Sequence, residues 1–465
     1  MTRPLRVAVV GAGPAGLYAA GHLLEGPAGT YVDGGLQRLS DRPIQVDVFD
    51  RLPTQWGLVR HGVAPDHPEK KLVQSVFEAT ATRPGFRFFG NVDIGNHVRV
   101  QELSQWYDAV IYAIGASDDA TMHIPGEELP GCLAARVFVA WYSGHPDYRD
   151  VDIDLSHERV VVIGNGNVAL DVARILAMPI ADLERTDIAP HALEVLRASR
   201  VREVVVLGRR GYAHGAFNNP ELDELGDLAG VDIVVNGEPP SDHDVHLGDQ
   251  DAVTRRKVAT LRRYAERPVA GNRRAIVLRF LTSPVQILGT DKVTGLLVSH
   301  NRLEHDDSGH VHARPFGENE VIDTGLIMRA IGYAGTPLLG LPFDEQRAVI
   351  PNVDGRVVDH GSPMPGAYVT GWIKRGPRGI IGTNKKCARD TVRALLADAD
   401  AGVLPTDGTL EASAVERILR ERRPQLIDQR GWLRIDDHER RAGRTLGRPR
   451  HKLTSVTEQL AAAEG

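Results

Sequence analysis

One arrangement occurs twice in this chain and leaves little freedom of fold. A short apolar run, RVAVV (6–10), feeds a glycine turn, GAGPAG (11–16), and then a helical stretch to about residue 24. About 150 residues later, RVVVI (159–163) feeds GNGNVA (164–169), and residues 170–177 read as a helix. Each apolar run has the look of a strand buried on both faces, as in a parallel sheet. The repeated unit predicts an α/β chain with two Rossmann-like dinucleotide-binding domains. Its recurrence is architectural and not a solenoid period.

In the first unit Gly11 permits the tight turn, Gly13 lets backbone approach a pyrophosphate, and Gly16 lets the helix pack close to the sheet. The helix N-terminus offers free N–H groups and the positive end of its dipole to phosphate. A strand at 45–49 ends on Asp50, placed to accept a hydrogen bond from a ribose hydroxyl. The spacing from Gly16 to Asp50 exceeds the usual ~20 residues, and a turn-rich insertion at 26–43 absorbs the excess. In the second unit Gly164, Gly166 and Ala169 form GxGxxA, and the strand that follows (201–207) ends in Gly208, Arg209 and Arg210 with no acid. A carboxylate there would repel a 2′-phosphate, whereas two guanidiniums can hold one in forked hydrogen bonds. This pattern favours NADP(H) over NAD(H), against the plainer alternative of a solvated arginine pair. Glu221, taken alone, reads as a surface helix residue.

Two dinucleotide sites in one chain make a flavoprotein, one holding the flavin and the other admitting the nicotinamide. Strands that run into AIG at 113–115 and 330–332 suit the points where the chain crosses between domains, the second domain being inserted into the first. The expected divisions are an FAD-binding segment at 1–117, an NADP-binding domain at 118–329, and a second FAD-binding segment at 330–465 with an Arg-rich tail. With 465 residues, length alone would allow two to four domains.

Composition narrows the chemistry. Only Cys132 and Cys387 are present, too few for an Fe–S ligand set or a four-thiolate zinc site and too far apart in sequence for a CxxC redox pair. No metal site is expected. The net charge of −6 excludes a globally basic nucleic-acid binder. Residues 7–24 lack any charged side chain except His22, but four glycines and a proline fit a membrane helix or signal core poorly. No membrane insertion and no transit peptide are expected, and the reading is a cytoplasmic protein, with a monomer favoured.

Longer blocks then match a family. GAGPAGLYAAGHLL (11–24), WGLVRHGVAPDHPEKK (56–71), IPGEELPGCLAARVFVAWYSGHP (124–146), IGNGNVALDVARIL (163–176), LGRRGYAHGAFNNPEL (207–222) and GWIKRGPRGIIGT (371–383) resemble the adrenodoxin-reductase-type ferredoxin–NADP⁺ reductases. GxGxxG is unspecific, but APDHP and GWIKRGPRG together are specific. The resemblance runs to about residue 395 and is looser in the tail. It implies the glutathione-reductase-like architecture, with FAD contacts at Ala15, Asp50, Leu58, Ile94, Trp372, Gly379, Ile380 and Ile381. Asp50 stands where relatives commonly carry Glu. It implies NADP contacts at Asn165, Gly166, Asn167, Val168, Arg209, Arg210, Glu221 and Gly379, which raises Glu221 above its bland reading. It also places His67 and Asp171 beside the isoalloxazine as a candidate proton-handling pair. As lone residues, His67 could fix a turn and Asp171 could favour a helix dipole.

The implied activity is NADPH:ferredoxin oxidoreduction. A hydride passes from NADPH to FAD N5, and single electrons then pass to a ferredoxin-type iron–sulfur protein. Because this chain lacks cluster ligands, the cluster belongs to the partner. Two alternatives use the same nucleotide sites: an NADPH-dependent flavin monooxygenase and an NADPH-sensing flavoprotein. A glutamate-synthase-like electron-input subunit is disfavoured by the cysteine count. An acidic ferredoxin calls for a local basic face, and the candidates are Arg255, Arg256, Lys257, Arg262 and Arg263, with His22 and Lys374 nearer the flavin. Asp223 stands where relatives often carry a basic residue. The tail beyond about residue 412 reads as helical and surface-packed.

Overall fold

The computed structural model describes residues 3–25, 31–32, 35–36, 43–237, 252–306, 308, 310–405 and 409–465. The insertion expected at 26–43 therefore lies largely outside the described residues, apart from a pairing of Tyr31–Val32 with Gly35–Leu36. An acidic, proline-containing stretch at 237–251, whose composition reads as an exposed loop, also lies outside them, save Gly237.

Strand Leu5–Val10 is buried at every position. Its side chains alternate between two cores, because successive residues of a strand point to opposite faces. Val7 and Val9 meet Leu17 and Ala20 of helix Pro14–Leu24 and Val392 and Leu395 of helix Thr383–Asp400. Ala8 and Val10 meet Trp106, Tyr107 and Leu419. A strand covered on both sides has no polar face to offer, so RVAVV is apolar beyond Arg6, whose buried guanidinium is paired with Asp47 at 3.1 Å. Leu5–Val10 pairs in parallel with Ile44–Phe49 and with Ala109–Tyr112. The sheet has seven strands, and three of them (Asn352–Val353, Arg356–Asp359, Ser362–Val369) come from the C-terminal part of the chain.

A second sheet of six strands, including Arg159–Ile163, Glu203–Leu207 and Leu326–Arg329, is parallel in every pairing. Val160 and Val162 pack under helix Asn167–Ala177. Val161 and Ile163 instead meet Leu296 and Val298 of a three-stranded antiparallel sheet. The two crossings expected at the AIG segments lie side by side: Tyr333–Ala334 pairs antiparallel with Asp118–Asp119. Strands of the first sheet thus flank the second sheet in sequence. No described helix is long and apolar enough to cross a membrane.

The C-terminal region corrects one expectation. It is helical at Ala412–Arg422, Gln429–Thr445 and Val456–Glu464, yet it is far from a surface coat. Trp432, Glu439 and Gln459 are buried, and Trp432 meets the Trp56 ring edge-on at 4.8 Å. Lys452 Nζ donates to the carbonyls of Arg60 and Ser143, both at 3.0 Å, and pairs with Asp187. The tail thereby joins both parts of the molecule.

Candidate active site

The two glycine turns are built alike. Gly11 N–H donates to the Phe49 carbonyl at 2.7 Å, and Gly164 N–H to the Leu207 carbonyl at 3.0 Å. Gly11 has φ +108° and Gly164 φ +115°, both in the region that favours glycine. A Cβ on Gly11 would stand 2.5 Å from the Ala113 carbonyl oxygen, and one on Gly164 2.3 Å from that of Ala330. Each turn thus closes against one crossing segment. Gly16 is needed because a Cβ would fall 1.9 Å from the Gly11 oxygen, whereas Ala169 fits its equivalent place fully buried.

Above the turns the space is open. A Cβ on Gly13 would meet nothing nearer than Gly57 Cα at 3.8 Å, and one on Gly166 nothing within 4 Å. Gly13 and Gly166 cap helices Pro14–Leu24 and Asn167–Ala177, and neither helix has a side-chain cap. Their first N–H groups are left for an anion. Asp50 accepts from Ala12 N–H at 2.8 Å and from Leu52 N–H at 2.9 Å, bracing the turn it was expected to serve. Burial pushes its carboxyl up, and these two donors pull against that shift.

Of the residues expected around the first dinucleotide, several converge. Gly371 approaches Ala15 so closely that a Cβ on it would lie 2.6 Å from the Ala15 Cβ. Trp372 follows, its Nε1 without a hydrogen-bond partner among the described residues and its ring 5.3 Å from Tyr333. Leu58 follows Gly57, which abuts Gly13. Ile94 is buried in the loop after Asp50, where Val92 N–H donates to the Asp50 carbonyl. Ile381 packs against the core that contains Ala15, while Ile380 is 65% exposed and Gly379 is exposed.

Around the second turn, Asn165 and Asn167 have their oxygens engaged. They accept from Ala216 N–H at 3.4 Å and Asn218 N–H at 2.8 Å, pinning the loop after Arg210. Val168 is half-buried against the helix-covered core. The backbones of Arg209 and Arg210 are held by Asn301 and Leu281. Their guanidiniums have no hydrogen bond or ion pair among the described residues. Glu221 is buried on the first turn of helix Asn219–Leu225, with Oε1 accepting from Lys70 Nζ at 3.3 Å and Oε2 without a hydrogen-bond partner among the described residues. It is not the surface residue its sequence neighbourhood suggests.

His67 and Asp171 are near neighbours but not hydrogen-bonded: Nδ1 and Oδ1 are 4.0 Å apart. His67 Nε2 instead lies 2.8 Å from Glu224 Oε2, and Lys70 Nζ donates to Nδ1 at 3.1 Å. A lysine ammonium has no acceptor to offer, so this contact requires an unprotonated Nδ1 and leaves Nε2–H to donate to Glu224. Asp171 is pushed up by burial, against the pull of Arg174. Glu224 escaped the sequence reading; it follows Glu221 by three residues, on the same helix face. The basic segment fared worse. Lys257 is buried, donating to the Gly215 carbonyl and lying over the Phe217 ring. Arg256 and Arg263 share one carboxylate, that of Asp223, at 2.7 and 3.5 Å. His22 is buried against the Lys385 carbonyl, and Lys374 donates to Thr391.

Two glycine turns at uncapped helix N-termini close on paired crossings, one near a carboxylate and the other near two arginines with no partner among the described residues, an arrangement that suits a pyridine-nucleotide-linked oxidoreductase. Residues 5–210 match the family model for pyridine nucleotide-disulphide oxidoreductases. The NADPH-ferredoxin reductase FprA of Mycobacterium tuberculosis is 48% identical, over 98% of this chain and 99% of its own. The structure of that FprA in complex with NADPH covers 100% of both chains at 47% identity, with a TM-score of 0.90. The mitochondrial NADPH:adrenodoxin oxidoreductase of Arabidopsis thaliana is 38% identical over 99% of this chain and 96% of its own. The chain belongs to the adrenodoxin-reductase-type NADPH–ferredoxin reductases.

Proposed function

We propose that this chain is an FAD-dependent NADPH:ferredoxin oxidoreductase. The division follows the two sheets: residues 1–117 and 330–465 bind FAD, and residues 118–329 bind NADP(H). The observation that carries the reading is the contrast between the two turns, Asp50 closing one and Arg209–Arg210 the other.

The residues fit both groups. Free N–H groups of helix Pro14–Leu24, with the open space at Gly13, would take the FAD pyrophosphate, and a free oxygen lone pair of Asp50 a ribose hydroxyl. Ala15, Leu58, Ile94, Trp372 and Gly379 to Ile381 would line the rest. Gly164, Gly166 and the N–H groups of Asn167 and Val168 would take the NADP pyrophosphate, beside Asn165. Arg209 and Arg210 would take the 2′-phosphate. Glu221, with one buried oxygen unpartnered, is positioned to accept from an amide. Bound FAD supplies the conversion between two-electron chemistry with NADPH and one-electron chemistry with a ferredoxin-type iron–sulfur protein. His67, donating to Glu224, holds a proton at Nε2 beside the seam between the two parts, and Asp171 is the nearest further carboxylate.

Anaerobic titration of the purified yellow protein with NADPH, then mixing with ferredoxins, tests this reading. Bleaching by NADPH and ferredoxin reduction in excess of NADH-driven reduction are expected. NADPH oxidation coupled to a hydroxylated product, with no ferredoxin reduction, would sink it.

A further inference from the structure

Arg174 received no role from the sequence. It lies on helix Asn167–Ala177 with its side chain 2% exposed. Its Nε and Nη2 both donate to Asp66, the latter at 3.1 Å. Nη2 also donates to Asp171 at 2.7 Å, and Nη1 lies 3.5 Å from Glu224 Oε2. One guanidinium therefore faces three carboxylates on three segments: the loop that carries His67, its own helix, and helix Asn219–Leu225. His67 stands among the same groups, hydrogen-bonded to Glu224 and 4.0 Å from Asp171.

A cation this deeply buried is retained when anions surround it; Nε and Nη2 are hydrogen-bonded, while Nη1 has the Glu224 charge nearby but no hydrogen-bond partner among the described residues. A planar fork can hold Asp66 with one edge and Asp171 with another; an ammonium is a point charge and cannot span them. Asp66 adjoins His67 in sequence, so the position of the Asp66 carboxylate fixes the backbone from which the imidazole projects. The loop belongs to the part that would bind FAD, and both helices belong to the part that would bind NADP(H).

We propose that Arg174 is a positioning residue for hydride transfer: its fork docks the Asp66–His67 loop onto the NADP-binding part and so sets His67 between Glu224 and Asp171. The proposal deepens the functional reading above and rests on it. The electrostatics agree. Burial pushes the Asp66 carboxyl up, but the hydrogen bonds and charge of Arg174 outweigh it and leave Asp66 below the usual range. Burial raises the Asp171 carboxyl, and the charge and hydrogen bond of Arg174 oppose that rise. The phenols of buried Tyr142 and half-buried Tyr333 also lie within electrostatic reach of Asp171. Without Arg174, Asp171 would take up a proton at higher pH.

The test uses the FAD-loaded protein with Arg174→Gln and Arg174→Lys, and reads NADPH-driven ferricyanide reduction across roughly pH 5–9. It also reads, without turnover, amide hydrogen exchange of the Asp66–His67 loop, which should quicken in Arg174→Gln; unchanged protection would overturn the docking role. Arg174→Gln is expected to lower kcat by on the order of tenfold to hundredfold, a misplacement effect, with KM for NADPH nearly unchanged. Its acid limb should move to higher pH. Arg174→Lys should keep the acid limb near its original place yet recover little of kcat, since it keeps the charge and loses the fork. Full recovery of kcat by Arg174→Lys would overturn the positioning role, and so would an unaltered kcat and pH profile in Arg174→Gln. Should Arg174→Gln lose its flavin, Asp66→Asn removes only the arm to the loop. It should then lower kcat in the same direction, and wild-type turnover by Asp66→Asn would overturn the proposal. Failure of the unmodified protein to oxidise NADPH would instead be a failure of the functional reading.

Discussion

Glu439 Oε2 accepts from Arg60 Nη1 at 2.8 Å, with the carboxylate wholly shielded from solvent. Arg450 Nη1 donates to the same oxygen at 2.8 Å, and Leu453 N–H donates to Oε1 at 2.8 Å. Arg60 belongs to helix Leu58–His61, which starts at Gly57 against the first glycine turn. The C-terminal tail is thus tied to the element that supports the candidate FAD site.

This pair sets an acid limit on stability. Burial pushes the Glu439 carboxyl up, but Arg60 and Arg450 more than offset it and hold it at about 2, against an ordinary value of 4.5. A folded-state value below the unfolded one gives stability that is full above about pH 4.5 and lost as pH falls toward about 2. The shift corresponds to about 3 kcal/mol at neutral pH. Glu439→Gln is expected to cost about 3–5 kcal/mol, since it strands two buried guanidiniums. Urea unfolding at neutral pH checks this, and an unchanged midpoint would refute it.

Two glycines separate a fold requirement from a ligand requirement. Gly371 has φ +79° and no room for a Cβ beside Ala15, so Gly371→Ala should release flavin and lower the Tm. Gly166 is in extended conformation, with open space where a Cβ would go. Gly166→Ala should therefore keep both the Tm and the flavin, yet raise KM for NADPH about tenfold or more by filling the pyrophosphate space. Flavin absorbance, a melting curve and NADPH kinetics on each variant decide it; flavin loss in Gly166→Ala would argue against the assignment of the second turn.

The local signals carried the fold further than the charge pattern carried the surface. Strands buried on both faces, glycine turns and the Asp50 and Arg209–Arg210 endings are written in short stretches, because a turn and its strand are neighbours in sequence. The crossings at Ala113 and Ala330 were legible for the same reason. Glu224, Lys70 and Arg174 were not, since their roles depend on contacts made across as many as 157 residues. Lys257 and Arg256 looked like a basic face because a helix shows its charges in sequence, while the Gly215 carbonyl and Asp223 that take up those charges come from elsewhere. The tail was misjudged likewise: its arginines look solvated until Glu439 is found beneath them.

Asp223 offers a direct test of the docking face. It is shared between Arg256 and Arg263, offsetting part of their charge, and accepts from Thr260 Oγ1 at 3.0 Å. Asp223→Ala should free both arginines, and KM for an acidic ferredoxin should fall about two- to fivefold at low salt, with the gain vanishing at high salt. Ferricyanide reduction should not change. If ferredoxin kinetics are indifferent to Asp223 at every ionic strength, this helix face takes no part in docking.

The proposed role of Arg209 and Arg210 in choosing NADP(H) starts from two guanidiniums whose backbones are held in place. The Arg209 carbonyl accepts from Asn301 Nδ2 at 2.9 Å, and the Arg210 carbonyl accepts from Leu281 N–H at 3.2 Å, so both heads stand at the end of strand Glu203–Leu207 with no partner among the described residues. Hydrogen bonds to charged groups are worth about 1.5–3 kcal/mol each, which is on the order of ten- to a hundredfold in binding. Changing both to Leu should reduce kcat/KM for NADPH by at least about a hundredfold and that for NADH by less than about threefold, because NADH carries no 2′-phosphate to lose. The Tm should hold, since neither head is part of an internal contact. Steady-state kinetics with both nucleotides on the double variant check this, and equal losses for the two would show that the arginines do not read the 2′-phosphate.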